Sequence, residues 1–145
     1  MTDLRVAAFA DLDTNTLYAL LKLRVDVFVV EQECPYPELD GRDTEPGTRH
    51  LWLAGQAGEP LAYLRVLDEP DGSARIGRVC VSPDARRAGH AGTLLAAALA
   101  LHPGRDAVLD AQTYATGVYE QAGFVVDGPE FLDDGIPHVP MRRHG

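Results

Sequence analysis

The chain has 145 residues, of which 46% are apolar and 24% charged, a composition typical of a globular protein with one hydrophobic core. We therefore expect one domain over residues 1–145. Thirteen Lys and Arg against 22 Asp and Glu give a formal charge of −9, which disfavours a nucleic-acid partner because a polyanion requires a basic face.

Targeting and redox signals are absent from the sequence. It has neither a basic and apolar leader nor an apolar run near the roughly 20 residues of a membrane helix. Its two cysteines lack the spacing of a metal site and are too few for a disulfide framework. We therefore expect a cytoplasmic protein with no metal and no membrane partner.

The first half of the chain predicts one helix among strands. A short strand is expected over residues 4–9, followed by a helix that Asn15 or Thr16 caps and that runs to about Val29. Residues 50–55 and 59–70 predict two strands joined by a hairpin turn at Gly55–Gly58. The stretch between them, residues 34–48, is rich in Pro, Gly and acids, which is typical of a binding loop or lid.

The second half alternates strands and helices. In chain order the predicted elements are a strand over 74–83, a helix over 92–102, a strand over 106–113, a helix over 115–122 with Gly123 at its C′ position, and edge-like strands over 124–128 and 138–143. Residues 127–137 are again loop-rich. The order predicts an α/β (α+β) domain with a mixed sheet and flanking helices.

The segment from residue 78 to residue 92 carries the strongest functional signal. A strand ends near Pro83, and small residues then lead into a helix through Arg86, Arg87 and Gly89. The unpaired N–H groups and the dipole of a helix N-terminus attract anions, above all phosphate. Two arginines add positive charge at this point of an acidic chain, so we predict a phosphate or pyrophosphate site; a tight turn with solvated arginines is the alternative.

Several motifs together resemble one enzyme family. Arg86, Gly89 and Ala91 match the pyrophosphate loop of the GNAT N-acetyltransferases, and Tyr119 with Gly123-Phe124 resembles the family's YxxxGF stretch. Residues 17–36 and 135–138 are similar to the ElaA-like branch of that family. The resemblance covers essentially the whole chain and implies a mostly antiparallel sheet with a splayed strand pair at the site of acetyl-CoA.

The resemblance also implies roles for individual residues on the acetyl-CoA side. A backbone N–H near Val79 would polarise the thioester carbonyl, and Tyr119 would protonate the departing thiolate. Gln112 stands where many members carry a cofactor-contacting asparagine. The implied acetyl-CoA contacts outside Gln112 are Val79, Cys80, Val81, Arg86, Arg87, Ala88, Gly89, His90, Ala91 and Gly92.

The acceptor is expected to be a primary amine of a small molecule or peptide, and its site is less constrained by the sequence. Arg24 and Phe28, four residues apart on one helix face, are candidates to line the acceptor cleft. A base or a water chain must take the amine's proton. The candidate bases are Glu31, Glu33, Asp40, Asp43, His50 and His138, each of which could instead be solvated or locally hydrogen-bonded.

Three alternatives stay open at this stage. Cys80 could form an acetyl-cysteine, although a strand cysteine is usually a small buried hydrophobe and direct transfer is preferred. Arg24, Phe28, Asp40 and Asp43 also echo the acyl-homoserine-lactone synthases. A domain that binds acetyl-CoA as a sensor without turnover is the third alternative, and a homodimer is compatible with all of them.

Overall fold

The strands form one mixed sheet in the computed structural model, which describes residues 2–145. The sheet order is β1-β2-β3-β4-β5-β8-β6, and β7 also pairs with β8. Every pair is antiparallel except β4 with β5. The predicted fold class is therefore confirmed. The strands are β1 (Asp3–Ala7), β2 (Arg49–Ala54), β3 (Pro60–Asp68), β4 (Ala74–Val81), β5 (Ala107–Gln112), β6 (Val125–Val126), β7 (Phe131–Asp133) and β8 (Ile136–Arg143).

The helices are α1 (Thr14–Arg24), α2 (His90–Leu101) and α3 (Thr116–Gln121). The α1 cap is Asp13, whose carboxylate accepts a hydrogen bond from the N–H of Thr16 at 2.7 Å, and not Asn15 or Thr16 as predicted. From Val25 to Glu31 the helix continues with π winding, so it ends two residues later than predicted. No helix within residues 2–145 has the length and apolar character needed to cross a bilayer.

Helices cover both faces of the sheet, and alternate residues of β2 and β3 point to opposite faces. Leu51, Leu53 and Leu64 pack in the larger apolar cluster with Leu94 and Leu95 of α2. The intervening residues pack on the other face with α1. They are Trp52 and Tyr63, with Leu20 and Leu23 opposite them. Because both faces are covered, β2 and β3 read as continuous apolar runs.

The C-terminal strands differ from the sequence prediction. β8 lies between β5 on one side and β6 and β7 on the other, so it is not an edge strand. The loop-rich stretch 127–137 contains β7, which forms a tight hairpin with β8 through Asp134 and Gly135, both at positive φ. This hairpin places one wall of the cavity described below.

The parallel pair β4–β5 separates soon after it begins. Its register contains only Ala74 opposite Ala107 and Arg75 opposite Val108. Beyond Arg75 the two strands diverge, and β5 continues instead along β8. The splayed strand pair predicted from the family resemblance is thus present.

Candidate active site

A cavity of about 260 Å³ lies where β4 and β5 diverge. Its volume is close to the roughly 300 Å³ at which small-molecule sites begin. Its walls come from β4, β5, the β7–β8 hairpin and the segment that follows α1. Residues lining it include Phe28, Gln32, Cys34, Tyr36, Arg65, Arg75, Gly77, Arg78, Val79, Asp110, Gln112, Tyr119, Asp133, Asp134, Ile136 and His138.

A β-bulge in β4 shapes one wall of this cavity. Tyr63 of β3 pairs with Cys80, and Arg65 pairs with Gly77, so that two residues of β4 oppose one residue of β3. The first bulge residue, Arg78, has φ 53°, a left-handed conformation that is unusual for a residue with a side chain. The bulge interrupts the regular pleat where Val79 lines the cavity.

The predicted pyrophosphate loop leads from β4 into α2. Arg87 and Gly89 have φ 67° and 75°, and Gly89 is the N-cap residue of α2 without a side-chain cap. The backbone N–H groups in the first turn of α2 therefore donate to no capping side chain. The loop thus has the backbone form of a helix N-terminus suited to an anion.

Arg86 fixes this loop to the rest of the domain. Its Nε donates to the carbonyl of Val81 at 3.2 Å, and its terminal nitrogens donate to both carboxylate oxygens of Glu31 at 2.5 and 2.6 Å. The hydrogen bonds from Arg86 lower the pKa of Glu31. Glu31, a candidate base by sequence, is therefore held as the carboxylate partner of Arg86.

Tyr119 projects from α3 into the cavity and packs edge-on against Phe124, with 6.2 Å between ring centroids. Burial raises the pKa of its phenol to about 12. The phenol therefore stays protonated at neutral pH. A protonated hydroxyl in the cavity can donate a proton or a hydrogen bond to a reacting group.

Cys80 is 5% exposed, and burial raises the pKa of its thiol to about 12. The thiolate is the nucleophilic form of cysteine, so this environment opposes nucleophilic catalysis at Cys80. Cys34 is also buried, and it lines the cavity with its Sγ 3.6 Å from the carbonyl oxygen of Asp134.

Two predicted residues meet across the strand pair β5–β8. Gln112 and His138 are directly opposite in the register, and both line the cavity. His138 Nδ1 lies 2.7 Å from the carbonyl oxygen of Ile136, so this nitrogen carries the proton of the neutral ring and Nε2 is left as an acceptor. Gln112 donates to Gln32 at 3.2 Å and accepts from Tyr114. Phe28 lines the same cavity.

Arg24, Asp40 and His50 are placed differently from the sequence prediction, because none of them is among the described residues that line the cavity. Arg24 is 1% exposed and donates to Glu38 at 2.7 Å and to Asp43 at 2.8 Å. Asp40 accepts from Arg65 at 2.5 and 2.9 Å. Arg24 and Asp40 thus belong to a network of ion pairs below the cavity.

His50 is buried in the same network. Its Nε2 lies 3.0 Å from the carbonyl oxygen of Asp43, and its Nδ1 lies 2.6 Å from the hydroxyl of Tyr63. Since the carbonyl can only accept, Nε2 donates to it and Nδ1 accepts from Tyr63. Burial lowers the pKa of His50. The neutral ring has no nitrogen left for a substrate.

Sequence reasoning missed a group of residues around the cavity. Tyr36, Arg65, Asp133 and Asp134 were given no role, Glu38 was noted only as part of an acidic loop that favours a cationic acceptor, and Arg78 only as part of the expected cofactor strand. The signal available for Glu38 and Tyr36 was their position in the Pro-rich stretch expected to be a binding loop. Nothing in the sequence indicates that Arg78 sits in a bulge, because its left-handed φ is imposed by the register of β3 and β4.

Comparisons with known proteins agree with this geometry. The family model described as "Acetyltransferase (GNAT) domain" matches residues 24–144. A UPF0039 protein of Mycobacterium bovis is 58% identical over 138 residues, which cover 93% of this chain and 88% of that protein.

Two crystal structures have the same fold at appreciable identity. An acyl-CoA N-acyltransferase from Pseudomonas aeruginosa is 43% identical with a TM-score of 0.91, and 99% of each chain is covered. Escherichia coli ElaA is 34% identical with a TM-score of 0.92, covering 99% of this chain and 100% of that one. With the family model and these relatives in agreement, the chain belongs to the GNAT acetyltransferase family, in its ElaA-like branch, and is an acyltransferase.

Proposed function

We propose that this chain is an N-acetyltransferase that moves the acetyl group of acetyl-CoA directly to a primary amine of a small molecule or peptide. The observation that carries the proposal is the β4–β5 gap, which opens into a cavity lined by Val79, Tyr119 and His138. A backbone edge, an acid and an acceptor nitrogen therefore line one cavity.

The residues on the donor side fit acetyl-CoA. The diverging edges of β4 and β5 offer backbone groups that the amides of a pantetheine arm can pair with. The first turn of α2 and the positive charge of Arg87 suit the pyrophosphate, with the N–H groups of residues 87–92 as donors. Arg86 contributes by holding this loop against Val81 and Glu31.

In the proposed reaction the amine nitrogen bonds to the carbonyl carbon while the carbon–sulfur bond breaks. The backbone N–H of Val79 polarises the carbonyl. Tyr119 donates its phenolic proton to the departing sulfur, and His138 Nε2 accepts the proton that the amine loses. Both groups then exchange protons with solvent, leaving an amide and free CoA. Cys80 takes no part, since burial keeps its thiol protonated.

The raised pKa of Tyr119 affects how the reaction rate should depend on pH. Because the pKa of Tyr119 is raised to about 12, its proton is present throughout the neutral and mildly alkaline range. The rate should therefore rise with pH as the acceptor ammonium loses its proton. No decline caused by Tyr119 is expected until the pH approaches that value.

The unpaired charges among the described residues of the cavity wall are carboxylates, because the arginines that line it, Arg65, Arg75 and Arg78, are each paired with a carboxylate. Asp133 and Asp134 line the cavity, and among residues 2–145 neither carboxylate has a salt-bridge partner. Unpaired carboxylates at the entrance attract a cationic amine. We therefore expect acceptors with a protonated amino group and no net negative charge.

The test is release of CoA thiol from acetyl-CoA with a panel of polyamines, amino acids, aminoglycosides and basic peptides. Tyr119→Phe should lower kcat with the preferred amine by about 100-fold. Tyr18→Phe is the matched control, because Tyr18 is 74% exposed on α1 and should not alter the rate. Tight binding of acetyl-CoA without release for any amine would indicate a sensor, and release only with longer acyl groups would favour the synthase-like alternative.

A further inference from the structure

The bulge residue Arg78 is held by a carboxylate from a distant loop. Its Nε donates to Oε2 of Glu38 at 2.9 Å, and one terminal nitrogen donates to the backbone carbonyl of Glu38 at 3.0 Å. Its guanidinium also lies over the ring of Tyr36, 5.6 Å from the centroid. Glu38 thus holds Arg78 by accepting hydrogen bonds at both its carboxylate and its backbone carbonyl.

These hydrogen bonds stabilise a backbone conformation of Arg78 that is unfavourable by itself. A left-handed φ of 53° is unfavourable at a residue with a Cβ, so other contacts must maintain it. Arg78 directly precedes Val79, which lines the cavity on the donor side. Rotation at Arg78 would therefore turn the peptide group between Arg78 and Val79.

Glu38 is itself fixed and cannot follow such a rotation. Its side chain is 3% exposed, Oε1 accepts from the hydroxyl of Tyr36 at 2.7 Å, and Oε2 also accepts from Nε of Arg24 at 2.7 Å. A buried carboxylate bound by two arginines and a phenol has one geometry, because losing any partner leaves buried charge uncompensated.

We propose that Glu38 is a positioning residue for the transfer reaction: by gripping Arg78 it keeps the β4 bulge in the form that presents the N–H of Val79 to the cavity. The expected effect on kcat rests on the proposed function. The stabilisation of the β4 bulge by Glu38 does not depend on turnover.

Arg78→Gly is the sharpest variant. Glycine adopts a positive φ without strain, so the fold and the bulge remain accessible while the grip of Glu38 is lost. We expect kcat to fall by about 10- to 100-fold because the polarising N–H is no longer held in place. The KM for acetyl-CoA should change less than kcat, and Arg78→Lys, which keeps one charged contact, should restore part of the rate.

Glu33→Gly is the matched control. Glu33 has the same φ of 53°, is exposed, and is not among the residues that line the cavity. Glu33→Gly therefore relieves the same backbone strain while the hydrogen bonds between Arg78 and Glu38 remain. Its kcat should equal that of the wild type. Tyr36→Phe, which removes only the phenol hydrogen bond to Glu38, should give a smaller loss than Arg78→Gly.

Hydrogen–deuterium exchange over residues 77–81 separates this inference from the proposed function. Arg78→Gly should exchange faster there than the wild type and the Glu33→Gly protein, whether or not any amine is acetylated. Unchanged exchange, or an unchanged kcat in an active enzyme, would overturn the positioning role. Faster exchange in Arg78→Gly, with a wild type that acetylates no amine, would support the hold of Glu38 on the bulge and reject only its kinetic consequence. If Arg78→Gly does not fold, the same readouts on Tyr36→Phe decide the question.

Discussion

The two faces of the central sheet bury side chains of different chemistry. On the α2 face the buried residues are apolar, among them Leu64, Leu94 and Leu95. On the α1 face, Arg24 and Arg65 are buried close to Tyr63. Apolar burial stabilises roughly in proportion to area, whereas a buried ion pair depends on the presence of each partner.

This contrast matters for the site because each face supports a different half of it. The proposed donor loop leads into α2, which rests on the apolar face, and the groups proposed to bind the pyrophosphate are backbone N–H groups. The acceptor side is shaped by a loop that is tied to the sheet through side-chain charges. We therefore expect the donor half to tolerate sequence change and the acceptor half to depend on individual residues.

The largest expected effect is that of Arg24→Met. It leaves the carboxylates of Glu38 and Asp43 buried with one of their two arginine partners removed, so the free energy of unfolding should fall by about 3–5 kcal/mol. Urea unfolding at neutral pH measures this. Arg5→Met is the control, since Arg5 is exposed on β1 and should cost no more than about 0.5 kcal/mol. A loss below about 1 kcal/mol for Arg24→Met would contradict the role assigned to the network.

On the apolar face, Leu95→Ala should lower the free energy of unfolding by about 3 kcal/mol through lost burial and a cavity. Because no charge is involved, the loss should be the same at neutral pH and at about pH 4. The measurement is urea unfolding at both values. A pH-dependent loss would show that the two faces are not as independent as their contacts indicate.

A smaller and pH-dependent effect is expected from Asp40→Asn. Hydrogen bonds from Arg65 hold the pKa of Asp40 below its ordinary value of 3.8. The stabilisation is therefore fully present above that value and is lost as the pH falls through the lower pKa of the folded state. The difference between wild type and Asp40→Asn should shrink as unfolding is followed below pH 3.8. A constant difference would mean that ionisation of Asp40 is not what stabilises the loop.

The smallest effect should come from Glu31→Gln, which breaks the exposed pair with Arg86. Both side chains are about 40% exposed, and such pairs contribute little because solvent screens them. The difference in Tm from the wild type should disappear in about 1 M salt, where the Debye length is only about 3 Å. A difference that persists in high salt would indicate geometric rather than Coulombic stabilisation of the loop.

Most of the donor half of the candidate site could be predicted from the sequence. Gly89 and Arg86 follow a predicted strand and precede a predicted helix, and local chain geometry alone brings them to a helix N-terminus. The separation of β4 and β5 was expected only through the family resemblance, since it depends on pairing between distant strands.

The acceptor half was not readable in the same way. Arg24 and His50 look like exposed functional groups in sequence, yet each is buried with partners that lie 7 to 19 residues away along the chain. Burial and partner choice are properties of the assembled sheet, which periodicity does not encode. Likewise the sequence predicts one continuous α-helix here and does not indicate that the segment from Val25 to Glu31 has π winding.

The gap between β4 and β5 also has a thermodynamic consequence. A ligand that hydrogen-bonds between the diverging strands binds the folded chain and not the unfolded one. A higher concentration of that ligand therefore shifts the folding equilibrium toward the folded state. On the proposed function, the fraction of this protein that is unfolded at any moment falls as acetyl-CoA becomes abundant. Its resistance to proteases would then report the supply of its own donor.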